Sequence, residues 1–112
     1  MAQSRIEIFA AMAADQPQNE MIWYGLASEY FKEGKWQEAA DSLRKVLSIK
    51  PDYTAAYQML GTALLNLGQR DDARSAWTQG IEIAERTGAW KAKQHMEGLL
   101  AGEESKTEFC AE

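Results

Sequence analysis

The chain has one cysteine, two prolines and one histidine in 112 residues, and no strongly basic stretch. Cys110 has no second cysteine to pair with, which excludes an internal disulfide and any multi-cysteine metal site. With a single histidine, His95, and no glycine-rich phosphate loop, no convergent set of reactive groups is available, and neither an enzyme nor a bound cofactor is expected. Apolar runs stay well short of the roughly 18 residues that a membrane span needs. The opening stretch, Ile6 to Ala14, is interrupted by Glu7 and lacks the basic flank of a secretory signal. A net charge of −5 and a pI near 4.9 supply no field for phosphate backbones or anionic lipid, so nucleic acid and membrane are not expected partners. A reducing, cytoplasmic location follows from these absences as an expectation.

What is present is a repeat. Gly34 and Gly68 stand 34 residues apart, and apolar and small residues keep step with them: Trp23 with Tyr57, Leu26 with Leu60, Ala27 with Gly61, Ala39 with Ala73, Leu43 with Trp77 and Leu47 with Ile81. A period of about 34 residues marks a stacked pair of helices. Composition agrees, since 46% hydrophobic and 26% charged residues suit one folded, helix-rich domain.

Helix boundaries follow from local chemistry. Ser4 and Glu7 have the spacing of a capping box, opening a first helix over 4–15 with Ile6, Phe9, Ala10, Met12 and Ala13 as its apolar side. One period relates Leu43 and Val46 to Phe9 and Met12, which makes this helix the second half of an incomplete repeat. Residues 20–53 form the first full repeat, with Gly34 closing its first helix in a left-handed turn and Pro51 marking its exit. Residues 54–87 form the second, its first helix capped by Asp52 or Thr54 and its second opened by Asp71 and Asp72. Glu85 stands where proline is expected, so that helix continues toward Gly88. An amphipathic helix over 89–101, with Ala92, Met96, Leu99 and Leu100 on one side, suits a cap on a stacked array. These parts make one domain over 1–101, and 102–112, lacking any apolar period, is expected to be a mobile acidic tail.

The frame resembles the tetratricopeptide repeat family, whose pattern is W-x2-L-G-x2-Y, then A-x3-F, then P. The first repeat supplies Trp23, Leu26, Ala27, Tyr30, Ala39, Leu43 and Pro51, and the second supplies Tyr57, Leu60, Gly61, Leu64, Ala73 and Trp77. Ala27, Leu64, Val46 and Glu85 depart from the pattern. The resemblance implies an all-α fold, a right-handed superhelical stack of antiparallel helix pairs (an α-solenoid) with about six helices. It also implies a scaffold or adaptor that binds a peptide or partner helix in a concave groove lined by the first helix of each pair.

On those first helices the positions turned toward the groove are Tyr24, Ser28, Phe31 and Lys32, then Gln58, Thr62, Leu65 and Asn66. Apolar side chains beside hydroxyls, amides and one lysine form the mixture expected of a recognition surface, and Phe31 and Leu65 also have the option of packing on neighbouring helices. Some members clamp a peptide's terminal carboxylate with lysine, asparagine and arginine. Tyr24, Ser28 and Gln58 occupy the corresponding faces here, so such a clamp is not implied. Lys32, Lys91, Lys93, His95 and Arg70 offer a weak attraction for an acidic segment. His95 and Cys110 are read as a surface histidine and an inert thiol, and Asp71 with Asp72 as a helix start without further metal ligands. The competing expectation is a structural subunit that forms a homo-oligomer through its terminal helices, with Trp90 as its most suggestive residue.

Overall fold

The computed structural model describes residues 4–111, with side chains described as far as 102. Among the described residues there are six helices and no strand: α1 (Arg5–Asp15), α2 (Glu20–Lys32), α3 (Trp36–Ile49), α4 (Thr54–Asn66), α5 (Arg70–Thr87) and α6 (Trp90–Ala111). Each packs on the next along the chain, which gives an elongated stack of 52 × 31 × 19 Å.

Side chains start two of the helices. Ser4 accepts from the Glu7 N–H at 3.1 Å and Asn19 accepts from the Met21 N–H at 3.1 Å, each satisfying a donor that the first turn cannot pair internally. The expected cap on α4 is absent. Tyr53 holds the N-cap position without a side-chain hydrogen bond, because one residue of offset takes both Asp52 and Thr54 away from that position. The hairpins close alike. Gly34 and Gly68 have φ of 73° and 82°, and the next residue's N–H reaches back to the carbonyl of Tyr30 or Leu64 at 2.9 Å, a left-handed closure that favours glycine. Gly88 ends α5 in the same conformation, three residues beyond Glu85.

A second device repeats with the period. Trp23 donates its indole N–H to the Pro17 carbonyl at 2.9 Å, and Tyr57, one period on, donates its hydroxyl to the Pro51 carbonyl at 2.8 Å. These bonds tie each first helix to the turn that precedes it. At the third turn the proline is replaced by Glu85, and Lys93 forms an ion pair with it at 3.7 Å. This pairing shows the register of α6. Glu20 and Thr54 open α2 and α4 34 residues apart, whereas Thr54 and Trp90 are 36 apart. With that offset Lys93 stands in the place of Tyr57 and Met96 in the place of Leu60, and Met96 is fully buried.

The core runs through the stack as one cluster that includes Ala27, Leu43, Val46, Leu60, Trp77 and Met96. Close approach of the helices depends on glycines that face large side chains. A Cβ on Gly61 would overlap the Trp77 indole, and one on Gly80 would lie 2.5 Å from the Met96 sulfur and 2.7 Å from the Tyr57 Cβ. Ser42, Ala63 and Ile83 are also buried, and Leu47, Ile49 and Ile81 are half-buried.

Two corrections concern the ends. Of the apolar side expected for α1, only Ala13 is buried, while Ile6 and Phe9 are half-buried and Ala10 and Met12 exposed, since α1 packs against α2 from one side. The backbone of α6 continues to Ala111, past residue 101, where the loss of apolar period predicts its end. Extending an existing helix needs no new nucleus, and glycine at 102 costs only about 1 kcal/mol. The side chain of Cys110 lies outside the described residues.

The glycines supply a paired test. Gly61→Ala is expected to destabilise the fold by about 1–3 kcal/mol, because the buried indole has no room to retreat. Gly98→Ala, with nothing within 4 Å of the added Cβ, is expected to stabilise by about 0.5–1 kcal/mol through helix propensity. Urea denaturation midpoints decide both, and equal signs would contradict the packing described.

Candidate functional site

The first helices of the two complete pairs, α2 and α4, carry the residues expected to bind a partner. On α2, Tyr24, Ser28 and Phe31 are half-buried and Lys32 is exposed; on α4, Gln58, Thr62 and Leu65 are half-buried and Asn66 is exposed. Spacings of three and four residues place each set along one side of its helix.

Their environments differ. Tyr24 meets Tyr53 across 5.2 Å between ring centroids, tilted by 39°, and Lys50 lies 5.7 Å from the Tyr53 ring centre. Phe31 packs edge-on against Trp36 at 4.9 Å, and Leu65 packs on the core cluster, so both serve the fold in part. Thr62 and Asn66 spend a donor each on the helix itself, the Thr62 hydroxyl on the Gln58 carbonyl at 3.3 Å and the Asn66 amide on the Thr62 carbonyl at 2.9 Å. The Gln58 carbonyl also accepts the Trp77 indole N–H at 3.2 Å, which leaves the Gln58 side-chain amide as its recognition group. Lys32 is 3.5 Å from Glu29 Oε1, a carboxylate that Arg5 also holds at 2.9 Å.

Two residues on this side went unnoticed in the sequence. Met21 is 70% exposed and lies three residues before Tyr24, so helical spacing alone could have found it. Tyr53 could not be found that way. It sits in the turn before α4, and one period earlier the position is Asn19, so no repeat pattern announces an aromatic there.

The remaining candidates lie elsewhere. His95 is exposed on α6. Trp90 is 58% exposed with the Lys93 ammonium 5.3 Å from its ring, so Lys93 is engaged by both Trp90 and Glu85. Asp71 and Asp72 lie in the first turn of α5, and no group of three or more metal-ligating residues occurs among the described residues. A cleft of about 330 Å³ between α3, α4 and α5 is lined by Arg44, Leu47, Tyr57, Leu60, Leu64 and Asp72 among others. None of the expected binding residues borders it. No helix among the described residues is long and apolar enough to cross a membrane.

Comparison with known proteins decides the family, because the tetratricopeptide repeat model matches residues 30–101. The chain belongs to the tetratricopeptide repeat family. A TPR repeat-containing protein of Pseudomonas aeruginosa is 32% identical over 95 residues, covering 85% of this chain and 90% of that protein. The solution structure of a protein from Bordetella parapertussis superposes with a TM-score of 0.82 at 27% identity, over 94% of this chain and 91% of the other. The first TPR domain of Spaghetti, solved with an HSP90 peptide bound, has a TM-score of 0.69 at 22% identity over 86% of this chain and 77% of its own; that likeness shows the fold alone. Repeats of this family generally mediate protein–protein interaction, and the fold is typically a non-enzymatic scaffold.

Tyr24 carries a titration signature. Burial, and secondarily Tyr53, raise its phenol above the ordinary 10.0, since a tyrosinate there would be desolvated and would face a second one. Below that pH both folded and unfolded chains keep the proton and the full stability is present. As pH rises further the unfolded chain ionises first and stability is lost. Tyr24→Phe is therefore expected to flatten the fall in stability above pH 10.0, measured by urea denaturation at a series of alkaline pH values; an unchanged slope would place Tyr24 in water.

Proposed function

We propose that this tetratricopeptide repeat protein is an adaptor that acts in the cytoplasm and holds an extended peptide or a partner helix across the side of α2 and α4 that bears Tyr24, Ser28, Phe31, Lys32, Gln58, Thr62, Leu65 and Asn66. The observation that carries this reading is a partly uncovered apolar surface: Met21, 70% exposed, three residues before Tyr24 of the half-buried Tyr24–Tyr53 ring pair. A large apolar side chain left exposed beside partly exposed rings marks a surface that other proteins cover.

The polar groups on the same side indicate what kind of ligand fits. α4 contains no charged residue, and Lys32 already lies near Glu29, so recognition rests on apolar contact and on the amide and hydroxyl groups of Gln58, Thr62 and Ser28. A peptide with one or two large apolar side chains suits this surface. The Spaghetti domain, which shares the fold and was solved with a peptide bound, supports peptide binding as a use of the fold and says nothing about which peptide.

The test is Met21→Ala combined with Tyr24→Ala, used as bait in pull-downs from the native cell beside the unmodified chain. Melting followed by circular dichroism keeps folding in view. Capture of specific partners is expected to weaken by at least about tenfold, equivalent to about 1.4 kcal/mol. Full retention of every partner by a folded variant would sink the proposal.

A further inference from the structure

The two ends of the stack are not alike, and the difference identifies a second contact surface. In α3 the residues Ala39, Ser42 and Val46 are all buried, on the helix that α2 packs against. In α5 the corresponding Ala73, Ala76 and Gly80 are buried on the helix paired with α4. One period before the α3 set stand Arg5, Ile8 and Met12 on α1, which packs against α2 through Phe9, whose ring lies 2.5 Å from where a Gly25 Cβ would be. The corresponding side of α1 is open among the described residues. It exposes 44% of Ile8 and 41% of Met12, where the complete repeats have small or fully covered residues.

We infer that this side of α1 is a self-association surface, on which α1 of a second copy packs antiparallel. Arg5, Ile8, Met12 and Asp15 follow one another at spacings of three, four and three, the spacing of a coiled-coil seam. A two-fold axis beside residue 10 sets Ile8 against Met12 of the second copy, and Met12 against its Ile8. The same axis sets Arg5 against Asp15 of the second copy at both ends of the contact. A parallel pairing would set like charges against each other, so the charges choose the antiparallel one and make the surface complementary to itself.

The described geometry leaves room for this contact. Arg5 uses its Nε on Glu29, and its two Nη groups remain as donors for another carboxylate. A recess of about 260 Å³ lined by Arg5, Ile8 and Phe9 is placed to receive Met12 of the second copy, a flexible side chain that fills irregular gaps. One helix pair buries less than the roughly 800 Å² per partner of a standard interface. A contact of that size falls with the weak, transient interfaces.

Sedimentation equilibrium of the full chain from about 10 μM to about 1 mM, the range in which small interfaces associate, reads the association. Dimer is expected at the upper end, and a monomer throughout overturns the inference, including in favour of a foreign helix as occupant. Asp15→Lys is expected to weaken association at least tenfold, as is Arg5→Glu, while an equimolar mixture of the two restores it, because each copy then offers the charge that the other lacks. A mixture that stays monomeric while the unmodified chain dimerises rules out the antiparallel pairing. Should Arg5→Glu fail to fold because Glu29 loses its counter-charge, Asp15→Lys alone still decides. A folded Asp15→Lys chain with an unchanged dimer constant removes the surface.

Discussion

Helix axes can approach closely only where one of the facing residues gives up its side chain. In this protein the contact between Gly61 and the Trp77 indole is the clearest case, and the same exchange recurs where Gly80 meets Met96 and Tyr57 and where Gly25 meets Phe9. Each large side chain needs a neighbour that is nearly all backbone. The cost of glycine within a helix, about 1 kcal/mol against alanine, is offset by burial of an aromatic or thioether side chain, worth about 1.5–3 kcal/mol. Ala27 and Leu43, one period earlier, both lie fully buried in the same core cluster.

The turns follow from that packing. Once adjacent helices are held close, the chain between them must reverse within a few residues, and Gly34, Gly68 and Gly88 allow it with positive φ. The bonds from Trp23 and Tyr57 to the carbonyls of Pro17 and Pro51 then fix how one pair sits on the next. At Glu85 the array changes its means. A side-chain ion pair with Lys93 takes the place of the aromatic-to-carbonyl bond, α5 gains a further turn, and α6 starts two residues later than the period would put it. A half-exposed ion pair contributes little, about 0–1 kcal/mol, so burial of Met96 does more to hold α6 in that register.

Function in such an array resides in whatever the stack leaves uncovered. One side of α2 and α4 is partly uncovered because side-by-side stacking buries chiefly their flanks. The open side of α1 is uncovered for a different reason, since α1 packs against α2 from one side and leaves Ile8 and Met12 exposed. These two surfaces differ in chemistry: the first combines aromatic rings with amides and hydroxyls, whereas the second is an apolar pair bracketed by opposite charges. The peptide surface and the self-association surface proposed above therefore have no side chain in common.

The number of helices, their pairing and most of the core were legible in the sequence, because a period of 34 imposes the same burial on matching residues, as Leu26 with Leu60 and Ala39 with Ala73 show. Tyr24 could be placed on the candidate surface by helical spacing, and Met21 was within reach of the same rule. Other features depended on contacts between distant segments. The pairing of Tyr24 with Tyr53, the packing of Phe31 on Trp36, the burial of Glu29 under Arg5 and the register of α6 each join residues that no local pattern relates. Periodicity by itself determined which residues face inward, since burial follows from helical geometry. Only the tertiary structure decided which outward-facing residues meet one another and which stay in water, because that depends on how one pair of helices is turned against the next.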